Sequence, residues 1–219
     1  KKGHNIHMLS YARPARLDTL KTNITFHEVA VNSYPLFEYP PYALALATQM
    51  VNLIEFENLD LLHVHYALPH ATSGYLAKQI MLEKGINVPV ITTLHGTDIT
   101  LIGNDPSYKH VVEFSIDKSD GVTAVSEYLK QETYSKFDIN QDIRVIPNFL
   151  DLDRFKKSNQ SHFKKAICPE DEKVIVHISN FRKVKRVPEV VTVFDRILKQ
   201  GIKAKLLLAG DGPDRQRTE

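Results

Sequence analysis

The chain of 219 residues has no tryptophan, three methionines and a single cysteine, Cys168. One thiol cannot build an intrachain disulfide framework, which excludes the small disulfide-stapled secreted domains and fits a reducing compartment. Charge of one sign is also scarce. Lys+Arg number 28 against 26 Asp+Glu, a formal net charge of +2, so nothing points to a nucleic acid or a membrane polyanion as partner. No apolar run reaches the roughly 18 residues that a membrane span needs. The opening KKGHNIHMLS has no apolar core of a signal peptide. These absences make a cytoplasmic protein the expectation and leave a homo-oligomer open. Internal repeats of short fixed period and low-complexity tracts are missing too. What remains is 42% hydrophobic and 25% charged, which suits a globular chain with a sizeable core.

Short apolar runs alternate with helical patterns. Strands are predicted at Ile6–Ser10, Ile24–Val31, Leu61–Tyr66, Val88–Leu94, Gly121–Val125, Ile143–Pro147, Lys173–Ile178 and Ala204–Ala209. Helical spacing appears over Tyr42–Phe56 and over Gly74–Lys84, where Leu76, Ala77, Ile80 and Met81 share a face before a stop at Gly85. The clearest amphipathic stripe is Val187, Val190, Val191, Phe194, Ile197 and Leu198, ending at Gly201. Alternating β and α with near-continuous apolar strands predicts an α/β fold, a doubly wound parallel sheet covered on both faces. Such sheets bind ligands at the carboxyl ends of their strands.

Both ends read as interior to a longer chain: KKGHNIHML looks like a helix tail, stop glycine and strand, and LLLAGDGPDRQRTE stops just after a strand and turn. A boundary is expected between about Asp151 and Asp171, where DLDRFKKSNQSHFKKAICPEDE is polar, charged and poor in strand signal. The expected division is 1–155, one nearly complete α/β domain, and 156–219, the start of a second.

The run VITTLHGTDITLIG opens as a buried strand and then places His95, Gly96, Thr97 and Asp98 where the strand surfaces. A histidine at a strand's C-terminal end sits at the mouth of the ligand crevice, with a pKa suited to hydrogen-bond donation or acid–base work. Gly96 lets a ligand approach the backbone, and Thr97 or Asp98 suits the cap of a following helix. The plainer alternative is a satisfied loop histidine beside a capping aspartate. In LLHVHYALPHA, His63 and His65 alternate with Leu62 and Val64 and so share one strand face, while Tyr66 stands at the strand end and His70 follows. A His-X-His pair with a third ligand can hold a metal, but no carboxylate or cysteine accompanies it nearby. Structural histidines and a packed aromatic are the competing readings. SNFRKVKR follows the strand KVIVHI and sets Arg182, Lys183, Lys185 and Arg186 just before a predicted helix. Cations are disfavoured at that end of a helix dipole, so the cluster suggests an anion, a diphosphate, held by helix N–H groups and basic side chains together. A solvated basic turn is the alternative, and AGDGP (Ala209–Pro213) on its own is a common glycine turn.

Taken in order, HVHYALPHA, TTLHGTDITLIG, VTAVS, IPNF, HISNFRKVKR and LLLAGDGP resemble the retaining glycosyltransferases of family 4 over almost the whole chain. TTLHGTDIT joined to SNFRKVKR, and the stretch FHEVAVNSYPLFEYPPY, are similar to the branch that glycosylates L-malate to make the first intermediate of bacillithiol. The resemblance implies a GT-B architecture of two Rossmann-like domains facing a cleft. It implies UDP-N-acetylglucosamine (UDP-GlcNAc) as donor, L-malate as acceptor, and neither a metal nor another cofactor. By motif, His95 would line the donor sugar and assist the transition state. Tyr66 and Thr93 would place malate, Arg182 and Lys185 would neutralise the leaving diphosphate, and Asn148 of IPNF would support donor or acceptor. The first domain would be the acceptor side, lacking its first strand and glycine-rich loop. The second would be the incomplete nucleotide-sugar side, lacking the family's later glutamate pair. Three other functions compete: a family 4 transferase with a different acceptor, a truncated nucleotide-sugar-binding module without turnover, and a metal-dependent hydrolase built on His63, His65 and His70.

Overall fold

The computed structural model describes residues 3–14, 17, 23–31, 38–100, 105–153, 155–156 and 161–218. Leu101 and Ile102, positions 32–37 within FHEVAVNSYPLFEYPPY, and positions 154 and 157–160 of the expected boundary lie outside the described residues. Two compact units divide the chain, Lys1–Phe149 and Leu150–Glu219.

The first unit contains β1 (Ile6–Ser10), β2 (Ile24–Glu28), α1 (Tyr42–Glu57), β3 (Leu62–His65), α2 (Thr72–Glu83), β4 (Val90–Leu94), α3 (Thr97–Thr100), α4 (Lys109–Asp117), β5 (Gly121–Ala124), α5 (Glu127–Lys136) and β6 (Ile143–Val145). β1 and β2 pair in one parallel ladder, and β3-β4-β5-β6 form a parallel sheet in that order. Local chemistry sets the element ends. Asn58 adopts a left-handed conformation after α1, Gly85 does so just beyond α2, and the Ser126 hydroxyl accepts the Leu129 N–H to cap α5.

The α/β class with parallel strands follows the predicted alternation. Leu62, Val64, Val90, Leu94, Val122 and Ala124 are buried, and their neighbours His63 and His65 are exposed. Ala77 and Met81 of α2 join the cluster around Val64 and Val90, while Val112 and Ile116 of α4 and Leu129 of α5 join the one around Leu94 and Val122. Gly74 of α2 lies so close that an added Cβ would stand 3.2 Å from a Val90 methyl. All three helices therefore cover one face. The reason is topological: strands that step steadily in one direction through right-handed crossovers put every crossover helix on the same side. Among the described residues the opposite face, with His63, His65, Thr93 and Thr123, is not covered in this way.

The second unit contains α6 (Ser161–Ile167), β7 (Lys173–Ile178), α7 (Val187–Lys199), β8 (Ala204–Ala209) and α8 (Arg215–Thr218). β7 and β8 pair in parallel from Lys173↔Ala204 to Ile178↔Ala209, with α7 as the crossover between them.

Candidate functional site

The candidate side chains form two clusters at strand ends, one in each unit. In the first unit they gather where β3 and β4 finish. The two strands pair in parallel, placing His63 beside Ile91 and His65 beside Thr93. Tyr66, the next residue, has φ 77° and ψ 139°, a conformation that a bulky residue adopts only when its surroundings impose it. The ladder imposes it here: the Tyr66 N–H donates to the Thr93 carbonyl at 2.9 Å, and the Tyr66 carbonyl accepts from Ala71 at 3.3 Å in the π-helical turn Ala67–Ala71. The half-buried ring of Tyr66 then lies 5.0 Å, centroid to centroid, from that of His95.

Asp98 connects the two loops that carry these rings. It is fully buried, and its carboxylate accepts from the backbone N–H of Ala67 at 3.0 Å and of Gly96 at 2.9 Å. Each donor immediately follows one of the candidate residues, Tyr66 or His95. The sequence suggests a helix cap at this position. The structure shows a clamp between strand ends, with one partner two residues back and the other 31 residues away.

The imidazoles form a connected file on the open face. His63 and His65 stack with centroids 4.7 Å apart. His65 Nδ1 and His95 Nε2 share a hydrogen bond of 2.8 Å. His63 Nε2 pairs with the Thr93 hydroxyl at 2.8 Å, and that hydroxyl pairs in turn with Thr123 Oγ1 at 2.7 Å. Thr93 is 8% exposed, so its hydroxyl is largely spoken for by its neighbours. Desolvation and the other imidazoles His63, His95 and His70 push the His65 pKa down to about 4, which keeps the ring neutral near pH 7. Burial, with the adjacent His95, also lowers the pKa of His63. Burial lowers His70, against the opposing effect of its hydrogen bond to the His65 backbone. His70 Nδ1 is buried without a hydrogen-bond partner, between the rings of Tyr42 and Tyr66. No group of three or more His, Cys, Asp or Glu among the described residues is arranged to hold a metal ion. Asn148 is exposed in the loop after β6 and is not brought into hydrogen bonding with Tyr66, Thr93 or His95.

The second unit presents a different chemistry. Arg182 precedes a tight 3-10 turn, Lys183–Lys185, and Arg186 is left-handed at φ 51° directly before α7. Arg186 pairs with Glu189 at 3.3 Å. The side chains of Arg182, Lys183 and Lys185 are exposed and form no ion pair among the described residues. α7 starts with no side-chain cap and with Pro188 in its first turn, so exposed cations without ion pairs stand beside an uncapped helix start. The neighbouring AGDGP turn supports this loop. An added Cβ on Gly210 would fall 1.8 Å from the Ser179 carbonyl oxygen, and one on Gly212 would fall 2.1 Å from that of Asn180. At φ +137° and +153° neither position suits a side chain, and the Asp214 N–H donates to the Phe181 carbonyl at 3.0 Å. A turn that is commonplace in sequence thus backs the basic one.

Comparison with known proteins matches the profile described as Glycosyltransferase Family 4 to residues 1–154. The chain belongs to glycosyltransferase family 4. A second profile, Glycosyl transferases group 1, matches residues 158–219. The chain is 49% identical over 215 residues to the N-acetyl-alpha-D-glucosaminyl L-malate synthase of Bacillus anthracis, an alignment that covers 98% of this chain and 55% of that protein. It is 24% identical over 201 residues to the alpha-monoglucosyldiacylglycerol synthase of Streptococcus pneumoniae, covering 84% of this chain and 44% of that one. The chain therefore spans about half the length of the curated relatives it matches. Among solved structures, a glycosyltransferase from Rickettsia africae superposes with a TM-score of 0.56 at 22% identity, covering 85% of this chain and 55% of that chain. The fold is α/β with parallel sheets, of the GT-B type. Among the described residues no helix is long and apolar enough to cross a membrane.

Proposed function

We propose that the full-length protein transfers N-acetylglucosamine from UDP-GlcNAc to the hydroxyl of L-malate with retention of configuration, as a cytoplasmic enzyme at the first step of bacillithiol biosynthesis. The 49% identity over nearly the whole chain to the Bacillus anthracis malate synthase carries this reading. The residues support it. Breaking a sugar–diphosphate bond leaves negative charge on phosphate oxygens and positive character on the anomeric carbon. Arg182 and Lys185, exposed and unpaired beside the α7 N-terminus, are suited to the first task. His95 is suited to contact the donor sugar, and Tyr66 and Thr93 to placing malate. Asn148 supports one of the two substrates.

In the proposed step the malate hydroxyl oxygen bonds to the anomeric carbon on the face that UDP leaves. The old carbon–oxygen bond breaks with its electron pair going to the diphosphate, which also receives the hydroxyl proton. No enzyme nucleophile is needed. Because fixed cations take the leaving-group charge, no metal takes part in this reading. The test is an assay of the full-length protein with UDP-GlcNAc and a panel of acceptors, with and without a chelator, reading product configuration by NMR. The expected product is the α-glycoside of L-malate, formed equally well with chelator. Glycosylation of diacylglycerol in preference to malate, UDP-GlcNAc binding without turnover, or loss of activity with the metal would each overturn the proposal.

A further inference from the structure

We propose that His65 is a positioning residue for His95, holding that ring in one orientation and one tautomer through the hydrogen bond between their Nδ1 and Nε2 atoms. The inference rests on the role given above to His95. The contact is 2.8 Å with ring centroids 5.0 Å apart, so it is a hydrogen bond with the rings tilted, not stacked. It occupies Nε2 of His95 and leaves Nδ1 as the nitrogen without a protein partner among the described residues. Two ring nitrogens sharing one such bond must divide donor and acceptor roles, and whichever donates fixes where the other carries its proton.

Three further observations hold His65 in place. It lies on β3, paired with Thr93 of β4, so its Cβ is set by the ladder rather than by a loop. His63 stacks on it at 4.7 Å. The residue after it, Tyr66, is tied to Thr93 by a backbone hydrogen bond of 2.9 Å, and the next, Ala67, is held by the Asp98 clamp. His95, by contrast, stands on the loop beyond β4, where the adjacent backbone at Gly96 is held by the Asp98 carboxylate and by the N–H groups of Ile99 and Thr100, and nothing in the ladder fixes the ring itself. A loop-borne ring is thereby referenced to a strand-borne one. His65 is itself exposed on the uncovered face of the sheet. It adds little to the core, which gives a folding role little to work on.

The test is a double-mutant cycle in the full-length protein with His65→Phe, His95→Ala and the pair, read as kcat and KM for UDP-GlcNAc and malate. His65→Phe keeps a ring of similar size and removes the nitrogen. It should lower kcat by about 10- to 100-fold, the scale of a misplaced catalytic group, with KM for UDP-GlcNAc unchanged. In the His95→Ala background the same change should cost nothing further. His65→Asn, whose amide reaches the δ position, should restore much of the rate, whereas His65→Gln should not. Nitrogen-15 NMR of labelled imidazoles supplies a readout independent of turnover: His95 should show one tautomer in the wild type and a tautomer mixture in His65→Phe. Additive losses in the cycle, equal rescue by Asn and Gln, or an unaltered His95 tautomer would overturn the inference. Were His95→Ala itself without effect on the rate, the role given to His95 would fail, and the NMR result would still decide whether His65 fixes its ring.

Discussion

α1 and α7 are both amphipathic, and they end very differently. α1 buries Leu46, Ala47, Met50, Val51, Leu53 and Ile54, most of them in the cluster that reaches Val64 and Val90 of the sheet. α7 carries the cleaner stripe in sequence, yet among its residues only Val187 is fully buried. Val190, Val193, Phe194 and Ile197 line an open groove of about 370 Å³ with Ile175 and Leu206. An apolar period assigns which face of a helix turns inward. How deeply that face is buried depends on how many layers and strands meet it; among the described residues two strands pair in the second unit and four in the first unit's main sheet. The sites differ in the same sense. Histidines and hydroxyls in the first unit hold one another through side-chain hydrogen bonds. In the second unit Arg182, Lys183 and Lys185 form no ion pair among the described residues, on a turn shaped by backbone contacts.

The comparison is sharpened most by His95→Ala in the full-length protein. A positioned catalytic group is worth about 10²–10⁴ in rate, so kcat should fall by that order while the melting temperature and UDP affinity stay close to wild type. A sharp drop in melting temperature with a preserved rate would make His95 structural and erase the contrast between site and core. Next in size is a pair of truncations followed by urea denaturation and circular dichroism. Leu46→Ala, at a position 1% exposed, should cost about 2–5 kcal/mol. Val193→Ala, 55% exposed, should stay within about 0.5 kcal/mol. Equal costs would show that the α7 stripe is covered as thoroughly as that of α1. The last effect expected is on binding alone. In the proposed function, Arg182→Ala combined with Lys185→Ala would remove two charge-assisted hydrogen bonds to the diphosphate, each worth roughly 1.5–3 kcal/mol. UDP affinity measured by calorimetry should weaken by tenfold or considerably more, with the melt of the free protein unchanged. Unaltered affinity would remove the diphosphate from this turn.

Much of the fold was legible because its signals are local. The alternation of Leu62, His63, Val64 and His65 is enough to put both histidines on one face, and stop residues such as Gly85 mark element ends. α5 was not legible, since EYLKQETYSK buries only Leu129 and Thr133 and offers too few apolar residues to form a stripe. In the site, His95 and Tyr66 stand out as polar or aromatic groups at strand ends, whereas the bond from His65 to His95 depends on a β3–β4 register that no local pattern records. Asp98 reads as a cap because its clamp partner Ala67 is remote in sequence. Which face the described helices meet was hidden for a related reason: Ile91 and Thr93 keep β4 apolar or β-branched on both faces.

The ladder that places these groups is also a parity rule. Leu62 pairs with Val90 and Ile91 with Gly121, so the numbers along three successive strands keep step: even residues pack under the helices and odd ones carry the imidazoles and hydroxyls. Chemistry and core are thus two interleaved messages written on the same few residues and separated only by odd or even position. Deleting one residue inside β3 would reverse the facing of every residue on one side of the gap, so that a histidine there turns inward and an apolar neighbour outward. Point substitutions can vary either message alone, but length changes within a strand corrupt both at once. Variation in length should therefore be confined to the loops, while the strands tolerate changes only of letter.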